Sequence, residues 1–191
     1  IDAVEPDCGF NIVHTGLLTA EGNPVELWKV LGEKCRSDAD FAASFRLTLA
    51  GKTDAAVLES IRKAGLDDYL TDMEYIDHNK ALLQQRKASV LIQPIRDEPE
   101  TKAILPGKLF EYLASWRPVL GIGQTDGAMS MILNSTKTGL VLDWEDEASI
   151  SRFIELCWKN HLAGRLTVED ADISQFTRRN LTHRMAELLD R

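Results

Sequence analysis

Lys108 and Glu111 stand three residues apart in ILPGKLFEYLASWRPVLGIG, Ile104–Gly123, a stretch that reads as loop, helix, turn and strand. Pro106 and Gly107 open the helix. A helix start turns backbone N–H groups and the positive end of a dipole toward an anion. Gly107 has no side chain to block a close ligand, and Lys108 adds a full positive charge. Lys108, Glu111 and Tyr112 are three and four apart and can share a face toward a cleft, with Leu109, Phe110 and Leu113 on the buried side. A carboxylate one turn from a phosphate site is suited to accept hydrogen bonds from sugar hydroxyls, as an acid does on a ribose. Diphosphate and ribose together describe a nucleotide. The competing reading is a solvated i, i+3 ion pair on an ordinary helix.

Other signatures fail on spacing. Ala50-Gly51-Lys52-Thr53 resembles the end of a phosphate loop, but the glycine required five residues earlier is Arg46. Gly121, Gly123 and Gly127 are one residue too widely spaced for a dinucleotide fingerprint, and they follow the fifth strand instead of opening the first unit. There is no G-x-S-x-G nucleophile elbow. His14, His78, His161 and His183 show no metal-ligand spacing. His161 and His183 read as surface residues, whereas His14 ends a strand beside Thr15 and Gly16. Cys8, Cys35 and Cys157 are odd in number and without a C-x-x-C pattern, which fits free thiols in a reducing cytoplasm.

These residues need a frame to position them. Short aliphatic runs alternate with amphipathic segments: strands at Phe10–Thr15, Phe45–Ala50, Leu70–Ile76, Ser89–Ile95, Val119–Ile122 and Gly139–Leu142. Between them the pattern predicts helices at Pro24–Ser37 (capped by Asn23), Thr53–Ala64, His78–Lys87 (capped by Asp77), Gly107–Ser115 and Ala128–Asn134. Glu147–His161 and Ile173–Leu189 close the chain. Strand and helix alternating in this way predict an α/β fold, a Rossmann-like doubly wound parallel sheet of about six strands. Ligands on such sheets bind beyond the carboxyl ends of the strands. The 191 residues, 44% hydrophobic and 27% charged, suit a folded domain, and a net charge of −8 argues against nucleic acid or an anionic membrane as partner. No apolar run is long enough to span a bilayer. The first residues show no signal peptide, and the absence of an initiating Met suggests a fragment.

The run PGKLFEYLASWRPVLGIG resembles the hallmark segment of the C-terminal, donor-binding domain of GT-B glycosyltransferases of the retaining group 1 (family 4) branch. FNIVHTGLL, FRLTLAGK, MEYIDHNKALLQQRKASVLIQP, TGLVLDWEDEASISRFI and FTRRNLTHRMAELLD resemble that domain's other elements, so the likeness covers about residues 10–190. It implies a donor-binding domain over 10–172, a linker or domain start over 1–9, and a last helix over 173–191 packing toward an N-terminal, acceptor-binding domain outside this chain. It implies that Glu111 contacts the ribose, Gly107 and Lys108 hold the diphosphate, and Gly16 with His14 and Thr15 makes room for phosphate or sugar. Lys52 is a weaker phosphate candidate. Two departures stand out. Where the family has a glutamate seven residues before the ribose carboxylate, this chain has Ile104, with Glu100 or Lys102 as the nearby substitutes. Where it has a basic residue after the first strand, this chain reads TAEGNP. The implied substrate is a UDP- or GDP-linked sugar, the acceptor a glycan or lipid-linked molecule, and no metal or other cofactor is expected. The implied location is the cytoplasm, with attachment to the inner membrane face through the other domain left open. A nucleotide-sugar epimerase of the same fold is the nearest alternative. A non-catalytic α/β module of the receiver type fits less well, because the first strand ends in HTG and not in an acidic cluster.

Overall fold

A computed structural model describes residues 9–96, 98–165, 167–168 and 171–189. The proposed linker over 1–9 lies almost wholly outside the described residues. Six parallel strands form one sheet in the order β3-β2-β1-β4-β5-β6: β1 Phe10–Thr15, β2 Phe45–Ala50, β3 Leu70–Asp72, β4 Val90–Pro94, β5 Val119–Ile122 and β6 Gly139–Leu142. The order reverses between β1 and β4, which makes that gap the switch point of the doubly wound fold predicted above.

Alternation along the strands divides the core in two. Phe10 and Ile12 face one side, where α1 (Val25–Ser37), α2 (Ala39–Ser44), α3 (Ala55–Lys63) and α7 (Glu147–Leu162) pack through Trp28, Leu31, Phe41, Ile61, Ile154 and Trp158. Val13, Leu91 and Val119 face the other, against α5 (Lys108–Ala114) and α6 (Ala128–Thr136) with Leu109, Tyr112 and Leu133. Helix α4 (His78–Lys87) lies over β1 on this second side. Among the described residues no helix is long and apolar enough to cross a membrane.

Several boundaries differ from the sequence reading. Strand β3 stops at Asp72 because its carboxylate accepts the Glu74 N–H (3.1 Å) and Glu74 turns the chain with φ 49°. Asn23 does not cap α1: it accepts from Trp28 Nε1 and donates to Ser60 Oγ, both at 2.8 Å, tying α1 to α3. Asp77 does cap α4, accepting from the Lys80 N–H. Helix α2, capped by Asp38, has no counterpart in the reading. The expected single last helix is a short 3-10 turn at Ser174–Phe176 followed by α8, Arg178–Leu189. His161 is only partly exposed: it stacks on Trp158 and meets Phe10 edge-on. Phe110 is partly exposed, and Tyr112 takes its place on the buried side of α5.

Candidate functional site

The site begins where β1 runs out. Gly16 takes φ 98°, a conformation that favours glycine, and donates its N–H to the Ala50 carbonyl at 2.7 Å. Gly51, φ 142°, lies against it so closely that a Cβ there would overlap the Gly16 backbone. The ends of β1 and β2 therefore meet backbone to backbone. A Cβ on Gly16 would sit 2.9 Å from Lys108 Nζ, so the bare backbone at 16 is what lets the lysine in.

Lys108 projects from the start of α5 across the switch point. Its Nζ donates to the Thr15 carbonyl at 2.6 Å and stands 3.3 Å from His14 Nε2. His14 is 1% exposed, and its Nδ1 lies 3.0 Å from the Ile92 carbonyl, which can only accept. Nε2 also lies 3.3 Å from the Leu17 carbonyl, but a neutral ring with its proton on Nδ1 satisfies the closer carbonyl, that of Ile92, and leaves Nε2 to accept from Lys108. Burial, seconded by the charge of Lys108, drives the His14 pKa down to about 3. Burial likewise lowers the Lys108 ammonium to about 8, an effect the Glu111 carboxylate opposes. At neutral pH the pair thus carries one positive charge, on the lysine.

One turn along α5, Glu111 enters a buried polar network. Gln85 Nε2, from α4, donates to Glu111 Oε2 and to Thr15 Oγ1, both at 3.1 Å. Tyr112 OH accepts the Thr15 N–H at 2.9 Å, and burial pushes its own pKa up to about 12. Lys108, Glu111, Gln85, Gly16 and Lys52 border one cavity of about 450 Å³ at the carboxyl end of the sheet. Tyr75, 89% exposed, stands at its mouth with His78. A depression of about 540 Å³ between α1 and α7 is lined by Glu33, Lys34, Glu147 and Glu155. Its charges are largely spent on each other, with Lys34–Glu155 at 2.7 Å and Glu147 held by Lys29 at 2.6 Å.

The fold thus brings together His14, Thr15, Gly16, Lys52, Lys108 and Glu111. Gly107 is exposed at the first turn of α5, and a Cβ there would meet nothing within 4 Å, so the protein itself does not require glycine at that point. Tyr112 shares no cleft face with Lys108 and Glu111; it is fully buried beneath them. Lys102 does not border the cavity: its Nζ pairs with Asp126 at 2.6 Å. Glu100 is exposed in the turn Pro99–Ala103, also outside the cavity wall. The sequence reading missed Gln85, because a glutamine in a polar helix carries no spacing signal. It also passed over two Asp-x-Asp pairs. Asp38 and Asp40 start α2 ahead of β2, at the amino end of the strands and away from the cavity, and Asp170 of the second pair lies outside the described residues. Among the described residues no group of three or more His, Cys, Asp or Glu side chains could hold a metal ion.

No protein-family model and no curated protein matches the sequence. Solved structures do. Sucrose-phosphate synthase from Thermosynechococcus elongatus superposes with a TM-score of 0.70 at 17% identity, over 100% of this chain and 46% of that one. S. aureus TarM, in its G117R form, gives 0.69 at 12% identity over 100% of this chain and 38% of that one. The C-terminal domain of the group 1 glycosyl transferase LpcC from Francisella tularensis gives 0.61 at 12% identity, over 84% of this chain and 81% of that one. The chain therefore spans less than half the length of the first and second of these proteins and most of the isolated C-terminal domain. Its fold is that of the C-terminal domain of a GT-B glycosyltransferase.

Proposed function

We propose that this chain is the nucleotide-sugar-binding domain of a retaining, hexosyltransferase-type glycosyltransferase. It acts with an N-terminal domain that holds the acceptor, a glycan or lipid-linked molecule, and the donor is a UDP- or GDP-linked sugar. The observation that carries this reading is the pairing of Lys108 and Glu111 in one cavity at the β1/β4 switch point. Two of the three Lys108 protons go to Thr15 O and His14 Nε2, leaving one for a phosphate oxygen. Glu111 accepts from the ribose hydroxyls. As the sugar leaves, negative charge grows on the diphosphate, and a preorganised ammonium in a partly desolvated cavity stabilises it. In this scheme Lys108 and the first turn of α5 carry that role without a divalent metal. The UDP in the TarM complex adds support from a shared fold.

Calorimetric titration with UDP, GDP and ADP tests the assignment. One diphosphate binds selectively. Lys108→Ala weakens it about 10- to 100-fold, as loss of a hydrogen bond between charged groups does, and leaves the bare nucleoside within about 3-fold. Equal losses for both ligands would overturn the role of Lys108, and no binding by any of the three would overturn the reading.

A further inference from the structure

Helix α4 buries one residue, and it is a glutamine. Gln85 is 1% exposed, whereas the remainder of α4 is partly or fully accessible. Its Oε1 is buried with no hydrogen-bond partner among the described residues. An orphan buried acceptor is a cost that a methionine or leucine of similar volume would not bear. Rotating the amide by half a turn would not help, since Oε1 would then face the Glu111 carboxylate. The amide is therefore oriented by what its Nε2 holds: Thr15 Oγ1 and Glu111 Oε2, each at 3.1 Å.

Those two acceptors depend on Gln85 unequally. Thr15 is fixed by the β1 ladder and by Tyr112 OH, which takes its N–H at 2.9 Å and its hydroxyl at 3.3 Å. Among the described residues, the other charged side chain within 4.0 Å of the Glu111 carboxylate is His78, 3.9 Å away and exposed, while Lys108 acts on it from farther off. A half-exposed glutamate on a seven-residue helix has several rotamers available, and the Gln85 hydrogen bond selects one of them. We infer that Gln85 is a positioning residue, which holds the Glu111 carboxylate in the orientation that reads the two hydroxyls of the ribose. The inference rests on the donor-site reading above and adds to it the residue that sets ribose discrimination.

The test uses whichever of UDP, GDP and ADP binds, together with its 2′-deoxy and 3′-deoxy analogues and inorganic pyrophosphate. The wild-type chain prefers the ribonucleotide over the weaker deoxy analogue by about tenfold, the scale of one charge-assisted hydrogen bond. In Gln85→Met that preference falls to about twofold, while pyrophosphate affinity stays within about twofold and the folded chain keeps its thermal midpoint. Gln85→Asn, whose shorter amide cannot span to Glu111, gives the same loss in case the methionine repacks the core. In a Glu111→Gln background, Gln85→Met has no further effect on the preference, because the glutamine acts through that carboxylate. An undiminished preference in both Gln85 variants, or equal weakening of all four ligands, overturns the inference and leaves the donor site standing. No binding by any nucleoside diphosphate overturns both.

Discussion

Lys108 and His14 carry one positive charge between them, on the lysine, and this sets how the site responds to pH. Burial lowers the Lys108 pKa to about 8, below the usual 10.5 of an amine, because it disfavours the charge. Diphosphate binds the ammonium, and above about pH 7.5, where the diphosphate itself is already ionised, affinity falls by up to roughly tenfold per pH unit beyond 8. Titrations between about pH 7.5 and 9.5 show this fall in the wild-type chain, and Lys108→Met removes it. The stability effects have their own signs. Between about 8 and 10.5 the unfolded lysine holds a proton that the folded one has lost, so Lys108 makes stability rise with pH there. His14, at about 3 when folded and 6.5 when unfolded, works in the acid range. As pH falls below 6.5 the unfolded state takes up a proton that the native state refuses, and stability drops by up to about 1.4 kcal/mol per pH unit. In His14→Gln, denaturant unfolding at pH 7 and pH 5 shows a smaller loss than wild type.

At the scale of elements, the cavity depends on two strand ends lying closer than side chains allow. Gly51→Ala would place a methyl group against the Gly16 backbone at a φ of 142°. We expect a cost of roughly 1–3 kcal/mol in urea unfolding, from overpacking and strain, together with weaker diphosphate binding as Gly16 moves toward or away from Lys108. Unchanged stability would mean that the β1 and β2 loops separate freely. This contact shows what the sequence could and could not reveal. FNIVHTG and FRLTLAG each read as a strand ending in glycine, and alternating apolar runs gave the six strands of a doubly wound sheet. That the two glycines touch is a matter of sheet order, which no local pattern encodes. Lys108 and Glu111 were legible because helical spacing and charge act over one turn. Gln85 was not, because its partners Thr15 and Glu111 lie 70 and 26 residues away in the chain. The end of β3 was misread for a local reason: Leu70–Ile76 has strand-forming residues, but Asp72 bonds the Glu74 N–H and ends the ladder.

On the scale of the whole molecule, the chain carries −8 net charge and still presents a cation at its cavity, so an anionic ligand meets a favourable field only close to Lys108. The molecule is also unevenly packed. The sheet is covered on both faces, but α8 buries no residue, and its Leu181, Met185 and Leu188 are 44%, 66% and 68% exposed at positions that share one stripe. What ties this end to the domain is the turn before it: Ile173 and Phe176 pack on the core, and the Phe176 ring lies 5.6 Å from Phe110. The two parts should therefore respond oppositely to substitution. Met185→Lys and Leu188→Lys leave the denaturation midpoint within about 0.5 kcal/mol of wild type, as exposed sites do. Phe176→Ala costs about 1–2 kcal/mol for the apolar area it uncovers. If the lysine variants were the more damaging, α8 would be folded back on this domain in solution. The expected pattern keeps the stripe free to cover another surface, and in our reading of the chain that surface belongs to the acceptor-binding half.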